Sequence, residues 1–227
     1  MTHYALIPAF NEEEKIKEVI LRLRKHKDIN IIVIDDGSTD STSEIVRKLG
    51  TVLIRHETNM GKGEAIKTGF RYILKNYPKA KYVVLIDADM QYFPEDAGKI
   101  LKLLEEGDAD YVTGYRNPRE IPYANRIGNF GWRLLFNLLF GTNLRDTNCG
   151  YVGMTKNAMI KIKNIHGGYI IENSMLRDAI KNKLRIKQVP VKVVYGKRKI
   201  GKFAKMFFGV LIFIMIEGFK FRLGIKS

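Results

Sequence analysis

The most constraining feature of this chain is an alternation. Through the first 115 residues, short runs rich in β-branched and aromatic residues (4–7, 31–34, 52–55, 82–86 and 111–113) are separated by stretches of helical period. Residues 12–25 place Ile16, Val19, Ile20 and Leu23 on one face, with Glu12, Glu13 and Glu14 where a helix dipole favours acids. Residues 41–49 run into Gly50, a C-cap signal, and 63–76 and 94–106 read as two more helices, the second with Pro94 near its start. The strands are continuously apolar, as strands covered on both faces must be. An α/β fold with a mostly parallel sheet between helical layers is therefore expected. In such sheets ligands bind beyond the C-terminal ends of the strands.

Four strand ends carry polar clusters: "PAFNEEE" from Pro8, "DDGSTD" from Asp35, "NMGKGEA" from Asn59 and "DADMQ" from Asp87. The second also reads as a turn with a helix cap, and the third as a plain loop into a helix. The fourth is harder to explain structurally. Two carboxylates at i and i+2 of an extended chain point the same way, which is unfavourable without a cation between them. Mg²⁺ or Mn²⁺, held by few carboxylates and completed by substrate phosphates, accounts for Asp87 and Asp89, and Gln91 offers a neutral oxygen.

Past residue 115 the alternation breaks. A polar loop with two prolines leads into 127–140, apolar around most of its circumference. A strand-like "GYVGMT", a helix near 170–183 and a last strand in "LRIKQVPVKVVY" follow, with Pro190 suggesting a sheet edge. A basic loop at 196–205 precedes an apolar segment. The chain parses as one domain over 1–200, whose pattern changes between 1–115 and 116–200, and a basic, apolar tail over 201–227.

Charge sharpens the second half. Of the net +15, residues 181–227 contribute +12, with 13 Lys and Arg against one acid, Glu217. An anionic partner is implied there, nucleic acid or anionic lipid. Nucleic-acid binding calls for aromatics interleaved with the basic residues, whereas here they adjoin aliphatic runs. Residues 207–216 are apolar on all sides, which suits burial in a headgroup layer better than a water-facing surface. No secretory signal is read at the N-terminus, and no stretch reaches the 18–20 or so apolar residues that span a bilayer. A membrane-associated protein of the cytoplasmic face is expected. One cysteine, Cys149, excludes an internal disulfide and fits a reducing compartment.

Taken in order, the four strand-end clusters resemble the family 2 glycosyltransferases, which use the nucleotide-binding GT-A fold. The resemblance implies a nucleoside-diphosphate sugar, UDP-glucose or GDP-mannose, with Pro8, Phe10, Glu12, Ile34 and Asp36 around base and ribose. Asp87, Ala88, Asp89 and Gln91 would meet the metal and diphosphate, with Lys62 near the phosphates. "DTNCGY", from Asp146, is similar to the acceptor motif of enzymes that glycosylate dolichyl or other polyprenyl phosphates. "GYIIENSML" then places Glu172, and "VYGKRKIGKFAK" resembles their basic loop before the membrane segment. Arg116, Arg126, Arg198 and Lys202 would contact donor and acceptor phosphates, for which arginine forks are suited. Thr147 and Cys149 resemble the glucosyl-type branch.

The implied reaction is metal-dependent and inverting. A phosphomonoester is largely ionised at neutral pH, so Asp146 either positions the acceptor or acts as a base. The alternatives are a related transferase with a soluble or polysaccharide acceptor, a nucleotidyltransferase, and a non-enzymatic basic module. Neither of the last two uses every motif.

Overall fold

The computed structural model describes residues 2–119, 121, 123–194 and 203–225. Seven strands form one sheet: β1 (His3–Ala9), β2 (Ile29–Asp35), β3 (Val52–Arg55), β4 (Tyr82–Leu85), β5 (Tyr111–Tyr115), β6 (Val152–Thr155) and β7 (Ile186–Pro190), in the spatial order β3-β2-β1-β4-β6-β5-β7. Strands β1 to β4 are parallel neighbours, with Leu6 level with Ile32 on one side and Leu85 on the other. Strand β6 is the exception, antiparallel to both β4 and β5. Strand β7 is the expected edge, with Pro190 opposite Tyr115 at its end.

The early helices lie where the periodicity puts them: α1 (Ile16–Leu23), α2 (Thr42–Lys48), α3 (Lys62–Asn76) and α4 (Ala97–Glu105), the last preceded by a 3-10 turn at Pro94–Asp96. Helix α1 buries Ile16, Val19, Ile20 and Leu23. One apolar layer joins it to the sheet face of Ile7, Val33 and Val84, and α4 covers the same face. The opposite face, with Leu6, Ile34 and Leu85, is covered by α3 and by the later helices α5 (Tyr123–Phe140), α6 (Lys156–Lys161), α7 (Ile171–Lys181) and α8 (Phe203–Arg222).

Helices α5 and α8 pack on each other, with the Phe140 and Phe221 rings 5.3 Å apart. Each is two-faced. Trp132, Phe136 and Phe140 of α5 and Val210 and Ile214 of α8 are buried, whereas Phe130, Leu134, Leu138, Phe208, Ile212, Met215 and Phe219 are exposed. Each segment thus gives one face to the core and presents the other, apolar, at the surface. Among the described residues no helix is long and apolar enough to cross a membrane.

Candidate active site

A cleft of about 580 Å³ opens at the C-terminal ends of the parallel strands. Pro8, Phe10, Glu12, Asp36, Lys62, Asp87, Ala88, Asp89, Gln91, Arg116 and Glu172 all line it. Ile34 does not: its side chain is wholly buried in the core under α3. Arg126 is exposed and donates to the carbonyls of Arg119 and Ile121, both at 3.3 Å. Arg198 and Lys202 lie outside the described residues.

The turn after β2 divides its two acids. Asp35 is buried and accepts from Ser38 N at 2.8 Å and from the Ser43 hydroxyl, so it caps its own turn. Asp36 faces the cleft, but its carboxylate holds the glycine loop: Met60 N donates at 2.9 Å, Gly61 N at 2.7 Å and His56 Nδ1 at 2.7 Å. That loop ends at the first residue of α3, Lys62.

Lys62 then reaches into the centre of the cleft. Its Nζ lies 2.6 Å from Asp87 Oδ1 and 3.7 Å from Glu172 Oε1. Burial alone would lower the ammonium's pKa, but the two carboxylates outweigh burial and raise it. Gly150, at the entry to β6, completes the junction. A Cβ there would stand 3.2 Å from Asp87 Oδ2 and 3.3 Å from Glu172 Oε1, so any side chain would require the two acids to shift by a few tenths of an ångström.

The geometry of "DADMQ" differs from the extended chain its sequence suggests. Strand β4 stops at Leu85, and the backbone turns with Met90 at φ 58° and Gln91 N donating to Asp89 Oδ1 at 2.9 Å. A tight Asx turn, not a pleat, brings these side chains to the cleft. Burial, then Asp87, pushes the Asp89 carboxyl up; burial, then Asp89, pushes Glu12 up to about 7. Concentrated negative charge of this kind fits a divalent cation. Among the described residues no three His, Cys, Asp or Glu side chains form a complete metal cage. Asp87 and Asp89 would offer such an ion two carboxylates, a small ligand set that suits a hard cation that also binds substrate phosphates.

The "DTNCGY" segment is built around a fork. Arg116 Nε and Nη2 donate to Asp146 Oδ2 and Oδ1 at 2.7 and 3.0 Å, and Arg116 N adds a third bond at 3.2 Å. Asn148 N donates to Asp146 Oδ1 at 3.0 Å. Asp146 is buried beneath the cleft surface and Arg116 presents the pair's outer side to it. Burial opposes the guanidinium's charge, but Asp146 outweighs it and lifts the Arg116 pKa well above its ordinary value.

Several lining residues were given no role in the sequence, among them Tyr92, Asn129, Trp132, Asn148, Ile171 and Val210. Asn148 sits inside a recognised motif. Trp132, the chain's one tryptophan, is the only signal in its apolar segment; Val210 has none.

Residues 4–163 match the family described as glycosyl transferase family 2. A UDP-N-acetylglucosamine–dolichyl-phosphate N-acetylglucosaminyltransferase of Methanococcus voltae is 32% identical, covering 92% of each chain. A dolichyl-phosphate β-glucosyltransferase of Trichomonas vaginalis is 26% identical over 88% of this chain and 69% of its own. Among solved structures, the glucosyl-3-phosphoglycerate synthase of Mycobacterium tuberculosis, in complex with Mn²⁺, UDP and phosphoglyceric acid, superposes with TM-score 0.77 at 22% identity, covering 96% of this chain and 78% of that one. At that identity the likeness establishes the shared fold alone. Together with the strand-end cleft, the match over most of the chain shows that this protein belongs to glycosyl transferase family 2 and is a glycosyltransferase.

Proposed function

We propose that this enzyme moves a sugar from a nucleoside-diphosphate sugar to a polyprenyl phosphate at a membrane surface, with inversion at the anomeric carbon. The observation that carries the reading is one continuous cleft. It runs from the acids Asp87 and Asp89 past Lys62 to the Arg116–Asp146 fork, and is walled by α5 and α8, whose outer faces are apolar. Two relatives named for dolichyl phosphate support the acceptor class.

Mg²⁺ or Mn²⁺, held by Asp87 and Asp89, would neutralise the diphosphate as it departs. Pro8, Phe10 and Glu12 line the end of the cleft where the nucleoside binds. The acceptor's phosphate oxygen attacks C1 from the face opposite the diphosphate. The C1–O bond to the β-phosphate breaks, its electron pair leaves with the nucleoside diphosphate, and no proton transfer is required of the acceptor. Arg116 offsets the repulsion between two phosphorylated substrates. Because the Arg116 fork engages both oxygens of Asp146, that carboxylate acts as a positioning group rather than a base. Lys62 screens Glu172, which would otherwise repel the acceptor.

Radiolabelled transfer to dolichyl phosphate in detergent tests the reading, with UDP-glucose, UDP-N-acetylglucosamine and GDP-mannose compared in the presence of Mn²⁺. Asp89→Ala is expected to abolish transfer at every Mn²⁺ concentration, and near-normal turnover would sink the metal assignment. Transfer to a soluble phosphorylated acceptor alone would establish the competing acceptor class. Anionic vesicles should bind the protein, and Ile212→Asp with Phe219→Asp should weaken that binding by roughly tenfold or more.

A further inference from the structure

Glu217, the single acid of the basic tail, is buried rather than placed among solvated cations. Its Oε2 accepts from Arg177 Nη1 at 2.9 Å with Lys181 Nζ at 3.6 Å, and Lys220 Nζ lies 3.1 Å from Oε1. Arg177, on α7, is 2% exposed. Its guanidinium stands over the Phe213 ring of α8 at 5.5 Å, donates to Asp178 Oδ1 through Nε and Nη2, and donates to the Asn164 carbonyl at 3.2 Å. Asp178 Oδ2 in turn accepts from Lys163 N and Asn164 N at 3.0 and 2.9 Å. One cation thus joins α8, α7 and the loop before α7.

Both partners of α8 lead to the cleft. The first turn of α7 carries Ile171 and Glu172 into it. The loop meets the start of α3: a Cβ on Gly63 would stand 3.2 Å from Gly167 Cα and 3.3 Å from the His166 carbonyl. Gly63 adjoins Lys62, the cation between Asp87 and Glu172. Helix α8 itself contributes Val210 to the wall.

A buried ion pair is a poor source of stability, since apolar replacements of similar volume often do as well. What it supplies here is a unique seat. A helix apolar on nearly all sides can rotate or slide on an apolar surface at little cost, whereas Lys220 travels with Glu217 and only one register also brings its carboxylate to the buried Arg177. We propose that Glu217 and Arg177 are positioning residues: they fix the register of α8 on α7 and thereby hold the Lys62–Glu172 wall of the cleft. A shift of α8 at a membrane surface would be transmitted to that wall. The kinetic part of the test below rests on the proposed lipid-phosphate reaction; the exchange part does not.

Hydrogen exchange and steady-state kinetics of the full chain in detergent test this with Glu217→Gln, Glu217→Ala and the paired replacement Arg177→Met with Glu217→Met. Each single variant should exchange roughly tenfold faster over residues 163–172. Each should raise the acceptor KM by about tenfold while changing the donor KM less than about twofold. The paired variant should fold stably yet keep the raised exchange and acceptor KM. Native exchange over 163–172, or equal changes in both KM values, would overturn the inference. Should the single variants fail to fold, a paired variant with native exchange and kinetics would overturn it equally. If the wild-type protein transfers nothing to dolichyl phosphate, the proposed acceptor fails while the exchange result still decides the role of Glu217.

Discussion

Asp146→Asn isolates how the Arg116 end of the cleft is held. In the native protein Oδ2 accepts from Arg116 Nε at 2.7 Å and Arg116 N at 3.2 Å, while Oδ1 accepts from Arg116 Nη2 and Asn148 N, both at 3.0 Å. Asparagine keeps one oxygen and sets an N–H where the other stood, facing two donors. Two hydrogen bonds are lost, one of them from the guanidinium, and the guanidinium loses its counter-charge. Removing one member of a buried pair costs about 3–5 kcal/mol. The Arg116 side chain is 12% exposed, so water at the cleft wall re-solvates part of it. We therefore expect about 2–3 kcal/mol, which for a chain of this size is a fall in Tm of roughly 5–10 °C. Equilibrium urea unfolding of wild type, Asp146→Asn, Arg116→Met and the double variant measures it, and the cycle should return a coupling above about 1.5 kcal/mol. The reasoning is refuted if Asp146→Asn lies within about 0.5 kcal/mol of wild type while transfer is abolished and acceptor binding is intact. That outcome would make Asp146 a base and the fork incidental.

Three further expectations follow from the site. Gly150→Ala, which sets a Cβ 3.2 Å from Asp87 Oδ2 and 3.3 Å from Glu172 Oε1, should fold with little loss of stability yet lower kcat/KM by roughly tenfold or more; unchanged transfer would show that the acids can give way. Glu12 has its carboxyl raised to about 7 from an ordinary 4.5, so the folded state binds its proton more tightly than the unfolded chain does. Its contribution to stability is present below about 4.5 and is lost as pH rises through about 7. Thermal melts across that window should lose part of their slope in Glu12→Gln, and an identical slope would contradict the assignment. Burial pushes the Cys149 thiol up to about 12, so alkylation at pH 8 should proceed only as fast as the protein opens and should accelerate sharply in urea; rapid native labelling would contradict its burial.

Local pattern alone carries much of this fold. Ile16, Val19, Ile20 and Leu23 announce their helix because a 3.6-residue period is written in neighbouring positions, and all four are buried as that period requires. The apolar runs ending in Pro8, Asp35 and Asp87 identify parallel strands, and the strand-end rule turns their last residues into a site. That rule located the cleft, and the resemblance to family 2 glycosyltransferases supplied residues such as Arg116 and Glu172; eleven of the residues so anticipated line it. Ile34 went astray because it still lies within β2, paired with Pro8 and Ile54 and packed in the core, rather than beyond the strand's end.

Tertiary structure decided everything that depends on residues far apart in the chain. No periodicity tells that β6 is antiparallel between β4 and β5, or that the turn at Met90 replaces an extended pair of acids. The partners of the charged groups were equally hidden. Lys62 meets Asp87 and Glu172, Asp146 meets Arg116, and Glu217 meets Arg177, over separations of 25, 110, 30 and 40 residues in the chain. The sequence by itself determined which elements form and where their polar ends gather, because propensity and period are properties of adjacent residues. Which charge neutralises which is a property of the folded interior, where the desolvation of each group makes its one partner matter.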